Sequence, residues 1–424
     1  MNDIEKSILE ETTEFYLKSR DFNGFPIYTL LGKLPKDVVR LSLTNLLGEK
    51  LIDLVFGDIH PNPHIKAFKS ESISTQIDKL NSPLFEQACV YPSKYYLEHV
   101  VDKSKYFGCP YTLELKLGNP ALVFRSFDLT ILEVYRNDPR YIYKNDDIRG
   151  WISVRDEYFE NDNMAEKDQV LLEHFGFSFN ENMDKAVAVF LCDLAKLSPE
   201  HQHIWKAKEI SNGIYKLHPD YFRNSILGEF SDGISIFEAF LHEMKIINQM
   251  AQAIEKTKLF REDYIDNKPN GFSFLVRPTL KEFNDFIHLL DKIFSDNICK
   301  GYFTNRVIFD EEIQRPDGKI IVQPKGTIKL FEEWLLTTCD VGNHDMLSSF
   351  FTVFKKIRRL RQQPAHTIND DVFDQKYYHE QREIMKNAYE SIRALRGIIS
   401  VHPLVIAASI KIPDFLENGK IWIY

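Results

Sequence analysis

The string Arg361-Gln-Gln-Pro-Ala-His366 holds the residues of this chain whose types and spacing best suit chemistry. At about 100° per residue, Leu347, Phe350, Phe354 and Ile357 form an apolar stripe, and Arg361 falls on it. A guanidinium on an apolar face must find anionic or hydrogen-bonding partners, or lie in a cleft. Pro364 ends the helix, so His366 is expected within one turn of Arg361. Lys355, Lys356, Arg358 and Arg359 crowd the same helix end. Lys356 and Arg359 fall off the stripe, and Arg358 sits at its edge. Phosphate chemistry wants such a set. The arginine neutralises phosphoryl oxygens, and a histidine titrating near neutral pH moves a proton.

Spacing alone does not single this pair out. An arginine followed by four to six residues and a histidine occurs three times: Arg359 with His366, Arg361 with His366, and Arg396 with His402. Arg396 also lies on an apolar stripe, after Tyr389 and Ile392, and is the rival. The competing reading for either pair is a buried arginine that ties helices together beside a structural histidine.

The elements that would position Arg361 begin near residue 278. Thr279 is a plausible N-cap for an amphipathic helix running to Phe294. A hairpin follows, with Arg315-Pro-Asp-Gly318 as the turn between Val307–Phe309 and Lys319–Val322. Helices are expected over Ile328–Thr338, Asp345–Gln362 and Asp374–Ser400. Together they suggest a helical bundle with a hairpin insert over 278–424. Upstream, Ile234–Leu259 is a strong helix within a helical region, 161–260, that also holds candidates at Glu166–His174, Asp184–Leu197 and Phe222–Phe230. The turn-rich stretch 261–277 reads as a linker. Residues 81–160 read as antiparallel β: Tyr111–Leu117, Ala121–Phe127, Thr130–Tyr135, Tyr141–Tyr143 and Trp151–Val154. The first 80 residues run helix, helix, then the strand Lys50–Phe56. The whole is an α+β chain.

The 424 residues hold 44% hydrophobic and 27% charged residues, ordinary for globular proteins. A net charge of −9 argues against a protein that coats nucleic acid, though not against a local basic patch. Cys89, Cys109, Cys192, Cys299 and Cys339 show no metal or redox spacing, which fits free thiols in a reducing cytoplasm. No apolar run approaches ~18 residues, so no membrane span is expected. Neither His60 and His64, separated by Pro-Asn-Pro, nor His201 and His203 suit a metal, and no cofactor is implied.

Two resemblances follow. Helix, helix and strand running into the His-Pro-Asn-Pro-His loop resembles a winged helix over about the first 60 residues. It implies possible DNA contact, with Lys36 and Arg40 on the second helix, or a protein-interaction module. The C-terminal ~120 residues, with Arg361 and His366 four residues apart, resemble HEPN domains, many of which are metal-independent ribonucleases. Gln362 is a less typical residue to follow the arginine in that family. The remainder resembles uncharacterised bacterial proteins. The HEPN resemblance implies a homodimer whose two motifs share one cleft. RNA would be cut by its own 2′-hydroxyl, with Arg361 on the phosphate, His366 as general acid or base, and Gln362 and Arg358 in support. Lys355, Lys356 and Arg359 would bind the strand. A cytoplasmic effector of bacterial stress or anti-phage defence is then expected. The alternative is a non-catalytic regulator that binds nucleic acid or protein through its N-terminus and dimerises through its bundle.

Overall fold

The computed structural model describes residues 1–19, 22–56, 71–159, 164–229, 233–340, 342, 344–362, 371–418 and 421–424. The chain is α+β and divides into two compact units, Met1–Phe230 and Ser231–Tyr424.

In the first unit, α1 (Asp3–Lys18) starts on a capping box. The Asn2 side chain accepts from the Glu5 N–H, and the Glu5 carboxylate accepts from the Asn2 N–H. β1 (Phe25–Pro26), α2 (Ile27–Leu31), α3 (Lys36–Gly48) and β2 (Ile52–Val55) follow; α4 (Ile73–Leu80) then precedes β3 (Cys89–Pro92). The three strands form an antiparallel sheet ordered β1-β3-β2. Ile8 of α1, Leu43 and Leu47 of α3, Leu54 and Val90 share its core.

After α5 (Lys94–Val100) the expected strand at Tyr111–Leu117 is instead a helix, α6 (Pro110–Lys116). A proline at the first helical position favours this, and Tyr111 and Leu115, four apart, are the buried pair. β4 (Phe124–Phe127) shortens the strand expected from Ala121. The strand expected at Thr130–Tyr135 is α7 (Ile131–Arg136), which buries Ile131, Leu132 and Tyr135 on one side. β5 (Tyr141–Asn145) and β6 (Arg149–Val154) agree with expectation, and α8 (Asp156–Phe159) follows.

The helices expected at Glu166–His174 and Asp184–Leu197 give way to β7 (Leu171–Phe179) and β8 (Lys185–Phe190), the latter ending in α9 (Leu191–Leu194). Every residue of β8 is buried. A strand covered on both faces shows no alternation, and a short apolar run cannot be told from helix by period. α10 (Pro199–Lys206) is capped by Ser198, whose side chain accepts from the His201 N–H. β9 (Lys216–Leu217) and α11 (Pro219–Phe222) close the unit's named elements. The sheet runs β4-β8-β7-β6-β5, with β9 beside β7, and every pairing is antiparallel.

The second unit opens with β10 (Ile234–Ser235) and α12 (Ile236–Glu255), so the strongest helix expected in 161–260 belongs to the bundle. The stretch expected as a linker is core: Phe272 and Phe274 are buried and meet Phe237 edge-on. α13 (Leu280–Phe294) is followed by the hairpin β11 (Asp310–Gln314) and β12 (Ile320–Pro324). Its first strand starts three residues after the expected Val307. The turn falls where expected, with Gly318 at φ 82°. α14 (Thr327–Thr338), α15 (His344–Gln362) and α16 (Gln375–Ser400) complete the long helices. α17 (Pro403–Ala408), α18 (Asp414–Glu417) and β13 (Ile421–Trp422) end the chain, and β13 pairs in parallel with β10. Among the described residues no helix is long and apolar enough to cross a membrane.

One buried polar network fixes α7 and α10 on the first unit's larger sheet. Trp205 Nε1 donates to the Tyr135 hydroxyl at 2.8 Å, and that hydroxyl lies 2.9 Å from His201 Nδ1. The indole can only donate, so the hydroxyl accepts from it and makes its second hydrogen bond with the His201 ring. Burial holds His201 below its ordinary 6.5, against the raising charge of Asp168. The unfolded chain takes up a proton that the folded chain refuses. The contribution is therefore complete above 6.5 and is lost as pH falls through the lower folded value. His201→Gln should flatten the acid-side loss of stability in denaturant unfolding measured across this range. An unchanged pH slope would show that His201 does not carry it.

Candidate functional site

α13 and α15 meet along apolar stripes. Leu347, Phe351, Phe354 and Ile357 are buried on α15, with Phe351 in the role expected of Phe350. The rings of Phe294 and Phe354 stack with centroids 3.7 Å apart. Asp291 lies on the stripe of α13, four residues after Ile287, and is 0% exposed. Arg361 meets it from α15. Its Nη1 donates to Asp291 Oδ2 and to Asp296 Oδ2, each at 2.6 Å. Arg358 Nη1 lies 3.3 Å from Asp296 Oδ1 and 3.9 Å from Asp291 Oδ1. Two arginines thus face two aspartates, and the cluster carries no net charge. The arginine on the apolar stripe finds its anionic partners inside the chain.

The hydrogen bonds to Asp291 and then to Asp296 push the Arg361 guanidinium further above its ordinary value. Burial alone would raise the Asp296 carboxyl. The hydrogen bond and charge of Arg361, with the charge of Arg358, outweigh it and hold the group below the usual carboxylate range. The other oxygen of Asp291, Oδ1, is buried and accepts no hydrogen bond among the described residues.

Both carboxylates use the same terminal nitrogen of Arg361. Its Nε and Nη2 make no hydrogen bond among the described residues, and the side chain is 27% exposed. That edge is the one that meets a phosphate or carboxylate with two parallel bonds.

The other expected site residues separate. His366 lies outside the described residues, as do His60 and His64. Gln362 is exposed at the last position of α15. Lys356 and Arg359 are exposed and unpaired among the described residues, whereas Lys355 donates to Glu332. The rival pair is engaged piecemeal. Arg396 Nε donates to Glu243, which is 0% exposed, and His402 caps α17 by accepting from the Leu404 N–H. Burial raises the Glu243 carboxyl in spite of Arg396.

On α3, Lys36 donates to Glu86 at 2.6 Å. Arg40 donates to the Leu80 carbonyl at 3.1 Å and lies over the Phe85 ring. The two cations expected to reach DNA are therefore engaged by the end of α4 and the segment after it. All five cysteines are free thiols. Among the described residues no group of three or more His, Cys, Asp or Glu is placed to hold a metal ion.

The sequence reading missed Asp291 and Asp296. The signal was present for Asp291, a charged residue on an apolar stripe, the same feature that marks Arg361. Asp296 follows the end of α13 and has no such mark.

Removing the Arg361 side chain leaves the buried Asp291 short of its main partner. Arg361→Ala should destabilise the second unit by on the order of 3 kcal/mol in denaturant unfolding. Arg361→Lys, which keeps a cation near Asp291, should cost clearly less. An alanine variant as stable as the parent would mean that the cluster does not hold the helices. Compared with family models, curated proteins and solved structures, the chain matches none.

Proposed function

We propose that the end of α15 is the phosphate-binding and cleaving site of a metal-independent endoribonuclease. Arg361 binds the scissile phosphate, and His366 moves the proton as the 2′-hydroxyl attacks. The HEPN resemblance supplies the reaction, the pairing of two chains and the setting, a cytoplasmic stress or anti-phage defence effector. The observation that supports the reading is the orientation of Arg361: two carboxylates grip one nitrogen and leave the Nε–Nη2 edge without a partner among the described residues, at a partly exposed helix end. Arg358 shares the clamp, while Lys356 and Arg359 extend positive charge along the exposed side. Arg396, by contrast, spends its Nε on Glu243 and is 11% exposed.

A second reading is favoured by separate observations. The two aspartates cancel the charge of Arg358 and Arg361, as in a structural cluster. The order α1-β1-α2-α3-β2-α4-β3 contains the helix, helix and strand on which the winged-helix resemblance rests, with α4 set between the last two strands. On this reading the chain is a non-catalytic regulator. Because Lys36 and Arg40 are tied within the unit, its N-terminus binds protein rather than DNA.

Cleavage of single-stranded RNA by the full chain separates the readings. The ribonuclease leaves 2′,3′-cyclic phosphate ends, works in excess chelator, and loses at least about a hundredfold in rate in His366→Asn, a typical loss for a general acid or base. Arg361→Lys should lose activity while remaining folded, because lysine lacks the planar fork. Cleavage that survives both substitutions would overturn the assignment. Absence of cleavage by the parent protein would favour the regulator.

A further inference from the structure

The first unit carries a surface depression of about 470 Å³, on the sheet between the β5–β6 turn and β7. The size is in the range of small-ligand sites. Its form comes from a β-bulge. Gly150 pairs with Phe175 and Ile152 with Leu172, so two residues of β7, Glu173 and His174, oppose the single residue Trp151 of β6. Bulges re-aim side chains and recur beside functional sites. Gly150 is required here, because a Cβ at that position would collide with the Phe175 ring and the Lys144 carbonyl.

The turn that forms the rim is held in place. Asp146 Oδ1 accepts from the N–H groups of Ile148 and Arg149, both at 2.7 Å, and its own N–H donates to the Arg149 carbonyl. Asp147 beside it is buried, 6% exposed.

The groups lining this fixed frame are uncommitted. Among the described residues, Lys144, Arg149, Glu173 and His174 make no side-chain hydrogen bond and no ion pair. Lys144 Nζ lies over the Trp151 ring, 5.7 Å from its centroid. Lys144 and Trp151 are cross-strand partners, so their side chains leave the same face of the sheet. Two cations, an indole face, a carboxylate and an imidazole thus converge on one depression. Lys36 and Arg140 of the same unit are by contrast paired, with Glu86 and Asp138.

We propose that this depression binds a nucleotide. The base lies on the Trp151 ring, the ribose hydroxyls donate to Glu173, and the phosphate accepts from Lys144 and Arg149. His174 offers one ring donor and one acceptor to the base edge. Stacking on an aromatic face tolerates any base, and the two cations supply the charge that a phosphate needs. The long Lys144 side chain leaves the ring to reach the phosphate. The same chemistry serves a free mononucleotide and a nucleotide within a single strand. The proposal does not rest on the ribonuclease reading.

The test is calorimetric titration of the full chain carrying His366→Asn, so that any cleavage is suppressed. The probes are AMP, adenosine and a short single-stranded oligoadenylate. Saturable binding of AMP, with adenosine weaker, identifies a free nucleotide as ligand. Binding of the oligomer alone identifies a strand. In either case Lys144→Glu and Arg149→Glu should each weaken binding at least about tenfold, the loss expected for one charge-assisted hydrogen bond. Both residues are exposed, so melting temperature should be unchanged. Trp151→Ala should weaken binding by a similar factor. No saturable binding of AMP or oligomer would overturn the proposal, as would binding that survives both charge reversals.

Discussion

Asp291 has no access to water, and a carboxylate in that position is tolerable only while a cation faces it. The packing of α13 on α15 depends on this constraint. The apolar stripes bring the two helices together without direction, whereas the Arg361 clamp sets one register along them. The two partners are 70 residues apart in sequence. The clamp also decides what Arg361 can still do. A guanidinium held by one nitrogen keeps a bidentate edge free, while one gripped along Nε loses part of that edge. Among the described residues Arg361 keeps free the Nε that Arg396 gives to Glu243, although the two have the same place in the sequence pattern.

The same economy of buried charge recurs. Between α12 and α16, the wholly buried Glu243 relies on Arg396, and one of its oxygens is left without a hydrogen bond among the described residues. In the first unit, Tyr135, His201 and Trp205 are joined by two buried hydrogen bonds. These polar groups add little net stability. They penalise alternative packings, because a shifted helix would strand a buried charge or hydroxyl. The depression beside Trp151 is the reverse case, in which cations and a carboxylate stand on a strand pair without partners among the described residues.

How far the sequence was legible follows from the same physics. α12, α13, α15 and α16 are long and amphipathic, and α12, α13 and α16 start on side-chain caps, so their period survives any tertiary context. The middle of the chain was not legible in this way. Tyr111–Leu117 alternates over only seven residues, and a proline start with one buried i, i+4 pair outweighed the alternation. β8 is buried on both faces and so carries no period at all. At the site, the position of Arg361 on its stripe was readable and its need for an anion followed directly. The identity of that anion was not, because it is set by how α13 packs rather than by local spacing. The bulge at Trp151 is invisible for a related reason, since it exists only in the pairing of β6 with β7.

The central claim is that the Arg361–Asp291 bond is a specific anchor between α13 and α15. A double-mutant cycle with Arg361→Met and Asp291→Asn, read by denaturant unfolding, tests it most directly. The account predicts that the paired substitution costs less than the sum of the single ones, with a coupling of about 2 kcal/mol or more. Additive losses, with coupling within about 0.5 kcal/mol of zero, would contradict it.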